Sequence, residues 1–237
     1  MPAPESLANW REATEACRGA HLYTAELTVD GVVGRERLRH AVLQGAMTDD
    51  GRVYLLAVAP VGPPIFTLAG TDARATLTLP SEQRVVTAPA ADIVAALIGF
   101  RLSAVDWLRV LSGCVGGAEA RDGVRIGDAT IVHLADGVTR VRLDADGRAV
   151  RLVAGERPDL LVEYERFLGR WPKAARVTTR PGAAVVADLT MMINQVNVNI
   201  ELPAGAFTLD VPPTFQPMTL EGLRALGPLG AREGGDR

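Results

Sequence analysis

Alternation of apolar and polar residues runs through most of the chain and predicts antiparallel β-sheet. In the first such segment, the apolar positions are Tyr23, Ala25, Leu27 and Val29, and the polar ones are Thr24, Glu26, Thr28 and Asp30. A period of two places one set of side chains on a dry face and the other on a wet face. The same pattern, interrupted by turn residues, predicts strands at 35–40, 53–59, 65–68, 75–79 and 84–87.

Two helical patterns follow these strands. The first begins at Pro89 and ends at Gly99, and the second has Ser103 and Asp106 at the spacing of a capping box and ends at Gly113. Their apolar residues are Ile93, Leu97, Ile98, Trp107, Leu108 and Leu111. Side chains this apolar do not suit an exposed helix, so the two helices must cover a cavity or a sheet face.

The two ends of the chain also carry local signals. A first helix is predicted with Ser6 as its cap, Gly19 at its end, and one face made of Leu7, Trp10, Ala13 and Cys17. After Gly113 the β pattern resumes. It predicts a hairpin turning at 127–128, a strand at 162–166, long strands at 176–179 and 185–198, a strand at 207–211 and a short helix at 220–226.

The tally is about a dozen strands with helices inserted midway, a mainly β (α+β) fold. No segment is rich enough in proline, serine or charge to divide the chain, so we expect one domain over 1–237. Within it, residues 1–5 read as a linker and 228–237 as a flexible tail.

Composition excludes several classes of function. The 237 residues are 48% hydrophobic and 22% charged, with a net charge of −3. Nucleic-acid binding requires clustered basic residues, and here Lys173 is the single lysine while the arginines are dispersed. No apolar run approaches the ~18 residues of a membrane-spanning helix. The start, Met1-Pro2-Ala3-Pro4, has no signal peptide, which fits either a cytoplasmic protein or one whose targeting segment has been removed.

A search for catalytic or metal-binding groups yields no constellation. His21, His40 and His133 have no cysteine or carboxylate at ligand spacing. The Ser112-Gly113-Cys114 segment lacks the frame of a nucleophile elbow, and no phosphate-binding glycine loop occurs. Glu163 and Glu165 share a strand face, as alternation predicts for any wet face. We therefore expect a protein that is not an enzyme and that has no cofactor and no metal.

Two further segments are unusual, and each has two readings. The amide-rich run at 194–199 fits either the polar rim of a binding site or amides that bond neighbouring backbone where a strand ends. The turn at 60–66 is apolar, so Val61 either projects toward a partner or membrane, or folds back on the core. Cys17 and Cys114 are either two buried thiols or, in an exported protein, one disulfide.

An ordered set of motifs resembles the LolB-like outer-membrane lipoproteins of the LolA/LolB superfamily. The set consists of the strand and turn at 54–62, the apolar strand at 65–68, the strand at 74–79, and the helix pair 93–99 and 105–113. The family carries P-L-G at the turn, then an I-x-x-L-x-G helix and an L-x-x-W/L-L-x-G helix. The resemblance extends over roughly residues 20–115, and only the segment 199–207 and the strand spacing continue it.

The resemblance implies an unclosed antiparallel β-barrel with a two-helix lid over a hydrophobic cavity for acyl chains. It also implies a lipid-anchored protein on the periplasmic side of the outer membrane, whose signal peptide and lipidated cysteine are absent from this sequence. Family members receive lipoproteins from a LolA-type carrier and place them in the inner leaflet of that membrane. Val61 stands where the family has the exposed leucine of its membrane-insertion loop, and valine is smaller.

We expect a monomeric, non-enzymatic carrier or receptor of acyl chains. Its predicted cavity residues are Leu27, Val29, Leu38, Leu55, Phe66 and Leu77 on the sheet and Ile93, Leu97, Trp107 and Leu111 on the lid. For each of them the alternative is ordinary core packing. The alternative function is a structural or assembly lipoprotein that binds a protein and has a filled interior, and a lipid-modifying enzyme comes third. We also predict a Cys17–Cys114 disulfide, which would stabilise the fold by up to about 4–5 kcal/mol.

Overall fold

One large sheet, four α-helices and a short 3₁₀ turn make up the computed structural model, which describes residues 4–15, 19–34, 36–58, 63–98, 101–113, 119–154, 160–169, 171–179 and 187–226. The helices are α1 (Pro4–Glu15), α2 (Ala90–Ile98), α3 (Ala104–Ser112) and α4 (Leu220–Ala225). The strands before the lid are β1 (Leu22–Val33), β2 (Glu36–Thr48), β3 (Arg52–Val58), β4 (Pro64–Thr71), β5 (Ala75–Leu79) and β6 (Arg84–Ala88). Those after it are β7 (Ala120–Ile126), β8 (Ala129–Leu134), β9 (Arg140–Leu143), β10 (Ala149–Ala154), β11 (Leu160–Leu168), β12 (Trp171–Thr179), β13 (Ala187–Val198) and β14 (Gln216–Pro217).

The strands form a single sheet in the order β14-β6-β5-β4-β3-β2-β1-β13-β12-β11-β10-β9-β8-β7. Every pairing is antiparallel except the two-residue parallel contact of β14 with β6. The two ends of this order do not pair among the described residues, so the sheet is an unclosed barrel. The predicted mainly β, antiparallel, unclosed barrel is thus confirmed, with fourteen strands where the sequence suggested about a dozen.

β1 lies near the middle of the sheet, and its alternation of apolar and polar residues matches its alternation of buried and half-buried side chains. Its burial follows a period of two, with Tyr23, Ala25, Leu27 and Val29 buried and the residues between them half-buried. β1 pairs with β2 on one side and with β13 on the other, although 153 residues lie between Val33, the end of β1, and Ala187, the start of β13. The buried face of β1 therefore joins the first and second halves of the chain into one core.

α3 has both caps that the sequence predicts, and α2 begins directly after Pro89 as predicted, whereas its predicted end, Gly99, lies outside the described residues. At α3, the Ser103 hydroxyl accepts a hydrogen bond from the Asp106 N–H at 3.1 Å, and Asp106 in turn accepts from the Ser103 N–H at 3.4 Å. Gly113 ends this helix with φ 63°, a left-handed conformation that glycine adopts at little steric cost. At the start of α2, the carbonyl of Pro89 accepts from the Ile93 N–H at 3.2 Å.

The first helix differs from its prediction at its N-terminal end. It begins at Pro4, two residues before the expected cap, so part of the expected linker is helical, and its described part is Pro4–Glu15. Ser6 is therefore an interior residue, 1% exposed, packed against Gly123 of β7. Its buried face consists of Ser6, Trp10 and Thr14, with Leu7 only half-buried. These residues follow the spacing i, i+4, i+8 of one helix face, and the small Ser6 stands where β7 approaches closely at Gly123.

The C-terminal segment also departs from expectation. The predicted strand at 207–211 is wrong, since these residues are irregular and follow a turn in which the Thr208 N–H donates to the Gly205 carbonyl at 2.8 Å. Pro203, Pro212 and Pro213 bracket the segment, and prolines cannot donate to a β ladder. The short terminal helix is confirmed as α4.

No helix in the described ranges is both long enough and apolar enough to cross a membrane.

Candidate functional site

An apolar cavity of about 80 Å³ lies between the lid and the inner face of the sheet. Every described residue that lines it is apolar, and these residues come from β1 to β4, β13, α2 and α3. Six of the ten predicted cavity residues are among them: Val29, Leu38, Leu55, Phe66, Leu97 and Trp107. The described walls of the cavity are therefore apolar and include no acidic, basic or nucleophilic side chain.

The other four predicted residues do not line this cavity. Leu27, Leu77, Ile93 and Leu111 are at most 1% exposed and pack inside the hydrophobic core. Periodicity identifies which face of a strand or helix points inward, but it does not distinguish a side chain facing an empty space from one in contact with neighbours on every side. Ordinary core packing accounts for these four positions.

Several cavity-lining residues escaped the sequence analysis. Leu189 and Met191 reach the cavity from β13, far along the chain from the lid, and Ala41 and Ala57 line it from β2 and β3. The two alanines are significant because small side chains on the sheet leave the space that larger ones would fill. Their signal in the sequence was weak, since alanine is common at buried strand positions.

The mouth of the cavity lies at one end of the sheet. Leu38, Ile65 and Ile98 line the cavity and are only half-buried, so they mark the side that opens to solvent. They stand near the start of β2, at the start of β4 and at the end of α2. Val61 lies outside the described residues, and its predicted role in membrane insertion stays a prediction.

Asp72 connects both lid helices to the opposite end of the sheet. Its backbone carbonyl accepts from the Ala90 N–H at 3.0 Å, at the start of α2, and its side chain accepts from the Ala104 N–H at 2.7 Å, at the start of α3. Helices begin with N–H groups that have no partner within the helix, so one residue satisfies a donor of each. α2 is therefore anchored at Asp72 and extends from there to the mouth. The sequence analysis assigns no functional role to this residue.

Two tyrosines lie in the core. The Tyr23 hydroxyl donates to the Leu111 carbonyl at 3.2 Å, in the last turn of α3, and the Tyr23 ring centroid is 6.3 Å from that of Trp171. Tyr164 is equally buried, and its hydroxyl has no hydrogen-bond partner among the described residues. Burial raises the pKa of both phenols well above the usual value, and for Tyr164 the neighbouring Tyr23 adds to the effect.

Comparison with solved structures identifies the fold. A Vibrio parahaemolyticus domain described as outer membrane lipoprotein-sorting matches 86% of this chain and 96% of its own, with a TM-score of 0.53 and 12% identity. A LolA superfamily protein from Nitrosomonas europaea matches 88% and 98%, with a TM-score of 0.53 and 10% identity. The chain has a LolA/LolB-like fold. A DUF1329 family protein from Desulfovibrio piger shares it, matching 87% and 97% with a TM-score of 0.55 and 12% identity.

Sequence comparison alone does not reach this LolA/LolB-like fold. No protein-family model matches the chain, and no curated protein matches it. The structural matches establish the fold. At identities of 10–12% they do not identify a ligand, which is therefore inferred from the chain's own residues.

The three histidines of this LolA/LolB-like chain each have a carboxylate neighbour, contrary to the sequence analysis. His21 Nδ1 lies 2.6 Å from Asp49 Oδ2, and His40 Nδ1 lies 3.2 Å from Asp30 Oδ2. His133 contacts Asp122, to which it is paired across β7 and β8. Strand pairing and turns bring these partners together from distant positions. Each is a single pair, and no described group of three such side chains surrounds a metal position.

The amides at 194–199 support the sheet and do not line the cavity. Asn194 and Asn197 donate to Thr28 and Thr24 of β1 at 2.9 and 3.3 Å. The Asn199 side-chain oxygen accepts from the N–H groups of His21 and Leu22 at 2.9 and 3.1 Å. Asn199 agrees with the reading in which amides bond backbone where a strand ends, whereas Asn194 and Asn197 bond threonine side chains of the neighbouring strand.

Cys17 and Cys114 both lie outside the described residues. Their predicted disulfide stays a prediction.

Proposed function

We propose that this chain binds the acyl chain of a lipid or of an acylated lipoprotein in the cavity beneath its lid, without catalysis. The observation that carries the proposal is a cavity with purely apolar walls, covered by two helices whose N-terminal ends are held at Asp72. An acyl chain requires no hydrogen bonds, and each buried methylene contributes about 0.8 kcal/mol. The lipoprotein-sorting description of the Vibrio domain with the same fold supports this ligand class.

The size of the cavity requires the lid to move when ligand binds. Its 80 Å³ is about half of the ~150 Å³ that accepts benzene in an engineered protein cavity. A long acyl chain therefore fits only if the mouth end of α2, which carries Leu97 and Ile98, shifts away from the sheet. α2 is a short helix whose N-terminal end is held at Asp72, so a rotation about that end widens the mouth while keeping the anchor.

The proposed setting is the periplasmic side of the outer membrane, with the protein acting as a monomeric, lipid-anchored carrier or receptor. Its proposed partners are a LolA-type carrier protein and the inner leaflet of that membrane, approached through the loop that contains Val61. The fold and the lipoprotein-sorting description of one structural neighbour support this setting.

Binding of a fluorescent fatty-acid probe tests the proposal. Ala57→Leu adds three carbons to the cavity wall, and we expect it to abolish probe binding, because 80 Å³ offers no room for both. The matched control is Thr67→Leu, which makes a side chain of the same size one strand away on the opposite face of β4, where Thr67 is half-buried and does not line the cavity. Equal binding by the two variants and the parent, or no binding by the parent, would contradict the proposal.

A second candidate is the structural or assembly lipoprotein with a filled interior, and the small volume of the closed cavity favours it. Native mass spectrometry with lipid extraction separates the two functions. A bound acyl lipid at near one-to-one supports the carrier, whereas a bare mass that also refuses added fatty acid supports the structural protein.

A further inference from the structure

The outer surface of β7 to β10 carries exposed aliphatic side chains and arginines. β7 is the last strand of the sheet, and among the described strands only β8 pairs with it. Gly123 of β7 faces α1. Side chains alternate between the two faces of a strand, so Val124 and Ile126 point away from the helix, and they are 45% and 59% exposed. Aliphatic side chains so exposed, side by side on an edge strand, are more than the scattered apolar residues of an ordinary surface.

Strand registers place arginines next to these aliphatic side chains. Val124 is opposite Ile131 of β8, Ile131 is opposite Arg142 of β9, and Arg142 is opposite Arg151 of β10. Directly paired residues in an antiparallel sheet share a face, and strands are about 4.8 Å apart, so the four side chains form one row about 15 Å long. Arg140 lies two residues from Arg142 on the same face. We call the surface made by Val124, Ile126, Ile131, Arg140, Arg142 and Arg151 the arginine face.

The charges of the arginine face are incompletely compensated. Within the described part of the chain, Arg140 and Arg142 have no ion-pair or hydrogen-bond partner. Arg151 has only a long contact of 3.8 Å with Glu163. Arg142 and Arg151 are also directly opposite each other, an arrangement of like charges that disfavours the sheet. Arg140 and Arg142, which lack acidic partners among the described residues and lie beside aliphatic side chains, indicate a surface that receives its anions from outside the chain.

The outer face of β1 shows the contrasting, self-sufficient arrangement. It carries Thr24, Glu26, Thr28 and Asp30. Gln44 of β2 donates to Glu26 at 3.0 Å, and the amides of β13 donate to both threonines. The polar groups on that part of the sheet are thus satisfied internally, and its side chains offer no aliphatic patch.

We propose that the arginine face rests on the surface of an anionic phospholipid bilayer, with the arginines at the phosphates and the two β7 side chains at the level of the upper acyl carbons. Arginine suits this position because its apolar stem lies along hydrocarbon while its guanidinium bonds phosphate. The chain as a whole has a net charge of −3, so attraction to an anionic membrane has to come from a local patch. The arginine face is separate from the cavity and its mouth, so it is proposed as a membrane contact in addition to the loop that contains Val61, and the inference does not depend on acyl-chain binding.

Vesicle flotation with the full chain tests the proposal. The probes are vesicles of phosphatidylcholine alone and vesicles with 30% phosphatidylglycerol. We expect binding to the anionic vesicles only, weakened by salt. Arg140→Gln with Arg142→Gln should weaken it about 30-fold, from about fivefold for each arginine near an anionic surface. Val124→Ser with Ile126→Ser should also weaken it.

The matched control is Arg37→Gln with Arg39→Gln, which removes two exposed arginines of β2 beside the cavity mouth. This control should keep full binding, and its loss would assign the membrane contact to the mouth. Absence of binding by the parent, or equal loss in both arginine pairs, overturns the proposal. A dimer in light scattering that Val124→Ser with Ile126→Ser dissociates would assign the β7 edge to a second copy and also overturns it.

Discussion

Replacement of tyrosine by phenylalanine should change the free energy of unfolding in opposite directions at Tyr164 and at Tyr23. Both side chains are almost fully buried, at 4% and 1% exposure. Only Tyr23 has a described hydrogen bond, to the Leu111 carbonyl at 3.2 Å. Removal of the hydroxyl by substitution with phenylalanine should therefore stabilise the fold at one position and destabilise it at the other.

The magnitudes follow from the hydrogen-bond partners. A buried polar group without a partner costs about 1–3 kcal/mol, so Tyr164→Phe should raise the free energy of unfolding by about 1 kcal/mol after the loss of packing around the oxygen. Tyr23→Phe removes a bond worth about 0.5–1.5 kcal/mol and leaves the Leu111 carbonyl without that donor, so it should lower the free energy of unfolding by about 1 kcal/mol. The change at Tyr23 also loosens the C-terminal end of α3.

Urea denaturation of the parent and both variants measures these changes. Comparison is valid where the m value stays constant, since m reports the surface exposed on unfolding. If Tyr164→Phe lowers the free energy of unfolding by 1 kcal/mol or more, the reasoning is refuted, because the hydroxyl then has a partner such as a buried water. If Tyr23→Phe leaves stability unchanged, the hydrogen bond to α3 contributes nothing.

Three further predictions concern pH, the lid and the cysteines. The pKa values of Tyr23 and Tyr164 are higher in the folded than in the unfolded chain, so the free energy of unfolding should be level below pH about 10. Above that pH it should fall by up to about 1.4 kcal/mol per pH unit for each tyrosine, and the fall should be shallower in Tyr164→Phe. Urea denaturation at a series of pH values measures this. Asp72→Ala should cost about 1 kcal/mol and speed hydrogen exchange in the first turn of α3, while Asp72→Asn, which keeps an acceptor, should do neither. Mass spectrometry of unreduced protein should find Cys17 joined to Cys114, and two free thiols would disprove the disulfide.

The sequence predicts elements well where one local rule decides the structure. The alternation from Tyr23 to Val29 matches the burial of β1 because a strand on a core has one dry face. Ser103 and Asp106 form the expected capping box because both partners lie within one helical turn. At 207–211 the same alternation misleads, since the bracketing prolines and the turn at Gly205 prevent pairing.

The candidate site is less predictable because it depends on distant segments. The walls of the cavity include Leu189 and Met191, which only the pairing of β13 with β1 brings to the lid. Whether an inward residue such as Leu77 lines a space or fills one depends on the volumes of all its neighbours. The role of Asp72 depends equally on where two later helices begin.

The closing segment of the chain determines the order in which the fold can be completed. The Gln216 N–H donates to the carbonyl of Gln83, just before β6, at 2.9 Å, and the Met218 N–H donates to the carbonyl of Val85 in β6 at 2.8 Å. Leu223 of α4 is fully buried beside α2 and β6. Until residues 216–226 have been synthesised, β6 has an unpaired edge and α2 lacks its contact with α4. A nascent or C-terminally truncated chain therefore exposes a sheet edge that can pair with another molecule. Shielding of the β6 edge and burial of this side of α2 therefore wait until residues 216–226 have left the ribosome.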